Sequence, residues 1–107
     1  MVSPATHAEI AASLTSLGML CHRLGRYADA EAHHRRALAI REQLVGPNHR
    51  DTAASLIGLG SANERQARYD EAETLYKRAL AIHEQAGGPN DPDVALGVVS
   101  PRRYVPD

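Results

Sequence analysis

Shifted against itself by 42 residues, the chain lays Ala11 to Arg50 over Ala53 to Pro92 with 21 identities in 40 pairs. The matches fall in blocks. Arg26-Tyr27 returns as Arg68-Tyr69, and Ala30-Glu31 as Ala72-Glu73. Arg36-Ala37-Leu38-Ala39-Ile40 returns as Arg78-Ala79-Leu80-Ala81-Ile82, and Gly46-Pro47-Asn48 as Gly88-Pro89-Asn90. A repeat of this length constrains the fold more than any other feature. Each copy is one supersecondary unit that must bury its apolar face against its neighbour.

Each copy predicts two helices. Ile10, Leu14, Leu17, Cys21 and Leu24 recur at spacings of three and four, the stripe of one helix face. Thr6 and Glu9 have capping-box spacing ahead of it. Gly25 can take the left-handed conformation that ends helices. A second helix starts near Tyr27, carries Ala30, His34, Ala37, Leu38 and Leu44, and stops at Gly46-Pro47. The second copy repeats this with Leu56, Leu59 and Ala62, then Tyr69, Ala72, Tyr76, Ala79, Leu80 and Ile82, stopping at Gly87-Gly88-Pro89. Small residues at Gly18, Ala30 and Ala37, and again at Gly60, Ala72 and Ala79, let paired helices approach closely. Short turns make them antiparallel neighbours.

The expected fold is all-α: two tandem antiparallel helix-turn-helix repeats, a fragment of an α-solenoid, followed by a short aborted third first-helix. The predicted bounds are a lead at 1–5, repeats at 6–47 and 48–89, a partial third repeat at 90–99 and a tail at 100–107. Asp91 and Pro92 form a good helix start. In the repeat register, however, Pro101 stands where Leu59 does, and an interior proline breaks a helix at a cost of about 3 kcal/mol or more.

The 107 residues make one small domain at most. Thirteen acidic against twelve basic residues leave a net charge of −1, without the basic excess that releases counterions from nucleic acid. The single cysteine forbids an internal disulfide and fits a reducing compartment. No apolar run approaches the roughly 20 residues that cross a bilayer, and the N-terminus lacks a secretory leader pattern. A cytoplasmic protein with neither a nucleic-acid nor a membrane partner is expected. The absence of Phe and Trp suits closely packed helices better than a sheet.

On these residues the chain resembles the tetratricopeptide repeat family, in its 42-residue kinesin-light-chain-like variety. Leu17-Gly18 and Leu59-Gly60 match the family's Leu-Gly pair. Gly25-Arg26-Tyr27 matches its turn, and Ala30, Ala37-Leu38, Ala72 and Ala79-Leu80 match its second helix. Three departures stand out. Cys21 and Asn63 replace the usual aromatic, Ala67 replaces Gly25, and Thr15-Ser16 and Ile57-Gly58 replace paired asparagines that can clamp a peptide backbone.

The resemblance implies a protein- or peptide-binding adaptor whose first helices line a concave face. Carried over by register, the lining is Ala12, Thr15, Met19, His22 and Arg23 from the first repeat. Ala54, Ile57, Ser61, Glu64 and Arg65 come from the second. Arg23 and Arg65 occupy equivalent positions and can act as carboxylate-seeking forks. Met19 and Ile57 offer an apolar anchor, so an acidic peptide is the expected partner. The ordinary alternative for all of these is a solvated helix surface.

Other residues that carry chemistry fall into no catalytic, cofactor or metal pattern. Among the six histidines, His33 and His34 are adjacent and diverge round a helix, and no two are three or four apart. His33 and His34 stand in register with Leu75 and Tyr76, which favours packing roles. Cys21 lies on the predicted buried stripe, about 100° round from His22, so it lacks a base. Arg35-Arg36 and Arg102-Arg103 are short and read as solvated surface. The expectation is therefore a non-enzyme without cofactors. Two other readings come from the ends. Two repeats are fewer than the roughly three usually needed, and terminal repeats need polar caps. The chain is then either a structural unit that self-associates by stacking uncapped ends, or a truncated remnant of a longer array.

Overall fold

The computed structural model describes residues 3–87. Among them the secondary structure is four helices: α1 (Pro4–Arg23), α2 (Tyr27–Val45), α3 (Arg50–Arg65) and α4 (Tyr69–Gly87). α1 packs on α2 and α3 on α4, which gives two hairpins, and α2 packs on α3 to join them; α1 touches α3 only lightly. This is the expected all-α pair of helical-hairpin repeats. The proposed third first-helix at 90–99 and the tail at 100–107 lie outside the described residues.

The start of α1 differs from the predicted capping box. Ser3 is the N-cap, its hydroxyl accepting the Thr6 N–H at 3.2 Å, and Pro4 takes the first helical position. Proline is suited there, because its missing N–H would lack a helical partner anyway. Thr6 is already inside the helix, and α1 begins within the stretch read as a lead.

Both turns inside the hairpins close the same way. Arg26 N–H reaches Cys21 C=O at 2.8 Å, and Arg68 N–H reaches Asn63 C=O at 2.9 Å. This six-to-one bond needs a left-handed residue just before its donor. Gly25 supplies it at φ 79° without strain. Ala67 supplies it at φ 65° with its Cβ crowded. Gly46 at φ 94° ends α2.

Small residues bring the helices together. Ala11, Ala30, Ala37, Ala53, Ala62, Ala72 and Ala79 are fully buried. Ala53, Leu56, Ala79 and Ile82 form one core cluster, against which Leu38 of α2 also packs. Ala11, Leu14 and Ala37 form the other. Leu38 thus ties the first repeat to the core of the second. Each Leu-Gly pair has a steric role: a methyl on Gly18 would lie 2.6 Å from the His34 ring, and one on Gly60 would lie 2.8 Å from the Tyr76 ring. The ring at one position of the second helix needs glycine on the first.

The predicted core stripe of α1 is only partly buried. Leu14 is inside, with Ala11 and Gly18 beside it, but Ile10, Leu17 and Leu24 are exposed and Cys21 is half-buried. The cause is position. The corresponding face of α3 is covered by α2, and α1 has no helix in that place among the described residues. Tyr69, also expected in the core, is exposed at the start of α4.

Polar contacts cross the joint between repeats. Glu31 of α2 accepts from Gln66 at 2.9 Å and pairs with Arg68 at 3.3 Å, while Arg35 holds its other side at 2.6 Å. Burial alone would raise the Glu31 pKa, but the bonds from Gln66 and Arg35 and the nearby Arg68 charge hold it below its ordinary value. Further along, Arg41 donates to Ser55 Oγ at 3.0 Å, Thr52 Oγ1 donates to Gly46 C=O at 2.6 Å, and Arg78 pairs with Glu42 at 2.7 Å.

Candidate functional site

α1 and α3 stand side by side in front of α2, and an open pocket of about 360 Å³ lies between them. Its α1 wall is Thr15, Met19, His22 and Arg23, at helical spacings of three and four. Its α3 wall is Ala54, Ile57, Gly58 and Ser61, and His34 of α2 closes the floor. The lining is largely apolar with a few polar groups, the usual make-up of a ligand cleft. The Thr15 hydroxyl donates back to Ala11 C=O at 2.9 Å and is satisfied within its helix. Ser61 Oγ lies 3.1 Å from the Tyr76 hydroxyl.

The structure gathers Thr15, Met19, His22, Arg23, Ala54, Ile57 and Ser61 of the lining expected from the sequence. Ala12, Glu64 and Arg65 stand outside the pocket. Glu64 accepts the Tyr76 hydroxyl at 3.0 Å. The Arg65 guanidinium lies over the Tyr27 ring, 5.8 Å from its centroid, and the same ring meets His22 edge to face at 5.1 Å. Tyr27 thereby links His22 of the α1 wall to Arg65 of α3, beside the pocket. Cation–π stacking of this kind holds a guanidinium in place with its edge still available for hydrogen bonds.

Three residues of the site escaped the sequence reading: His34, Gly58 and Tyr27. His34 is only 4% exposed, and its Nδ1 is buried without a hydrogen-bond partner. The ring lies between two glycines from different helices. Methyl groups at Gly58 and Gly18 would come within 2.5 and 2.6 Å of it. Burial lowers the His34 pKa, and the neighbouring His22, His33 and Arg41 lower it further, so the imidazole is neutral at neutral pH. One signal was available in the sequence: His34 shares a register position with Tyr76, the ring that faces Gly60. Gly58 had no such signal, because its counterpart in the first repeat is Ser16.

Among the described residues no three His, Cys, Asp or Glu side chains come together to hold a metal ion. No described helix is long and apolar enough to cross a membrane.

Four helices in two stacked hairpins, with a groove between the first helices, define an all-α helical-repeat protein. The family profile described as tetratricopeptide repeat matches residues 9–85, and again 58–96. The chain belongs to the tetratricopeptide repeat family. Repeats of this family generally mediate protein–protein interactions and scaffolding, and they are typically non-catalytic. A comparison with curated proteins found no match.

Proposed function

We propose that the chain is a cytoplasmic adaptor that binds a peptide segment of a partner protein in the groove between α1 and α3. The observation that carries this reading is the convergence of Met19, Ile57, Arg23 and His22 on one pocket. Met19 and Ile57 supply an apolar seat. Arg23 supplies a planar fork suited to a carboxylate, with Arg65 held nearby on Tyr27. Because the walls are rigid helices, binding adds little ordering cost. The activity is recognition without chemistry, cofactor or nucleic-acid contact. The 42-residue period supports placing the chain with the kinesin-light-chain-like branch, and it assigns the repeats to 6–47 and 48–89 with a partial third after them.

The test is titration of a library of short acidic peptides carrying one large apolar residue, read by fluorescence anisotropy. Arg23→Ala combined with Arg65→Ala abolishes binding of peptides that the parent chain retains. Unchanged affinity in the double variant, with the fold intact by circular dichroism, would defeat the groove reading.

A further inference from the structure

α1 leaves an apolar stripe uncovered: Ile10 is 37% exposed, Leu17 45%, Leu20 50% and Leu24 64%. With Ser13 they occupy positions 10, 13, 17, 20 and 24, the alternating three-four spacing of a helix-pairing seam. From Ile10 to Cys21 the helix carries no charged residue. Leu17 and Met19 are two residues apart, so the stripe faces away from the groove.

The second repeat shows what such a face looks like when a neighbouring repeat covers it. The counterparts of Ile10, Leu17 and Leu20 are Thr52, Leu59 and Ala62, and each is 2% exposed or less on α3, which packs against α2. That contact is partly polar. Thr52 donates to Gly46, and Gln66, the counterpart of Leu24, donates to Glu31. On α1 the hydroxyl of Thr52 is replaced by Ile10, the amide of Gln66 by Leu24, and the small Ala62 by Leu20. A helix of the α2 kind would lose those bonds and be held off by the leucine. The α1 face suits an apolar partner instead.

We infer that the partner is a second copy of this chain, joined α1 to α1 in antiparallel fashion about a two-fold axis at Leu17. The ends of the stripe are evenly placed about that residue: Ile10 and Leu24 lie seven positions either side. An isologous pairing therefore sets Ile10 against Leu24 of the second copy at both ends and Leu17 against Leu17 at the centre. Charge selects the antiparallel sense. Glu9 directly precedes Ile10, and Arg26 lies just beyond Leu24, both exposed. The antiparallel pair brings each Glu9 to the arginine end of the other helix and opposes the helix dipoles favourably, whereas a parallel pair would set like charges together. The dimer keeps both grooves open and stands independently of what they bind.

The full chain is measured by light scattering from roughly 1 to 100 μM, the range in which a micromolar dimer dissociates. The expected mass doubles across the range, and Leu17→Glu stays monomeric with unchanged helicity, since Leu17 is already half exposed in the monomer. The sense of pairing is read in a Cys21→Ser background under mild oxidation. Ile10→Cys mixed with Leu24→Cys gives a covalent heterodimer, and neither alone gives a homodimer at comparable rate. A monomer at every concentration, a Leu17→Glu variant that still dimerises, faster coupling between two Ile10→Cys chains, or a growing series of assemblies would each overturn the proposal. The last result would favour end-to-end stacking.

Discussion

Replacing Gly58 by alanine tests how the groove floor is built. A methyl there would lie 2.5 Å from His34 Cε1 and 2.6 Å from Nδ1, against roughly 3.5–4.0 Å for a relaxed contact. The ring would have to retreat by about 1 Å. Retreat is blocked, because Gly18 abuts the ring so closely that its own added methyl would fall 2.6 Å from Nε2. Overpacking of this sort costs about 1–3 kcal/mol. Alanine in a helix interior offsets about 0.8–1 kcal/mol of that, through its better helix propensity. The net change is a loss of up to about 2 kcal/mol, which lowers the melting temperature by up to roughly 16 °C in a domain of this size.

The sign should reverse once the ring is gone. In a His34→Ala background the same Gly58→Ala change meets open space and keeps its helix benefit, a gain of about 1 kcal/mol. The four proteins of the cycle, unfolded thermally and in urea, should show a coupling of about 1–3 kcal/mol. Ser16→Ala, at the equivalent place on α1, is the control. It is exposed, so it should not couple to the buried His34 ring. Additivity of Gly58→Ala and His34→Ala within about 0.5 kcal/mol would refute the wedge. So would stabilisation by Gly58→Ala in both backgrounds.

Two further outcomes follow from local geometry. Ala67→Gly relieves a left-handed alanine and should stabilise by up to about 1 kcal/mol, the strain less the extra unfolded-state entropy of glycine; a lower melting temperature would contradict the strain. His34 has a lowered folded pKa, so the unfolded chain binds its proton first as the pH falls. Its stabilising contribution is complete above pH 6.5, the ordinary histidine value, and is lost as the pH falls through the lower folded value. Urea midpoints should therefore drop as the pH falls below 6.5, less steeply in His34→Leu, and equal slopes would rule this out. Glu31 adds a second loss beginning below 4.5, its own ordinary value.

Much of this architecture was legible in the sequence because it is local. The 42-residue offset located both hairpins. Gly25 and Gly46 marked turns that need positive φ, and the alanines at 30, 37, 72 and 79 marked close helix contact. The start of α1 was misread because Ser3 and Thr6 are both good caps. Pro4 decides between them, since it suits the first turn and fixes Ser3 as the residue before it. The groove was legible through the family resemblance, whose register placed Thr15, Met19, His22, Arg23, Ile57 and Ser61 together. The finer arrangement was not. The stacking of Arg65 on Tyr27 and the bond from Tyr76 to Glu64 depend on how one helix crosses another, which spacing along the chain does not encode.

The misread stripe on α1 follows from the same limit. Periodicity reports that a helix has an apolar face; it does not report whether anything covers it. The information lies instead in differences between equivalent positions. Ile10 and Thr52, Leu20 and Ala62, and Leu24 and Gln66 share a register but not an environment. α3 has small or polar residues where α2 presses on it, and α1 has large aliphatic ones where nothing described does. Ser16 and Gly58 differ for the same reason, since only Gly58 meets His34. In a repeat protein the matches therefore define the hairpin, and the mismatches along one helix face record the neighbour. On α1 that record is large, aliphatic and uncharged from Ile10 to Cys21, which suits an apolar helix better than another hairpin of the same kind.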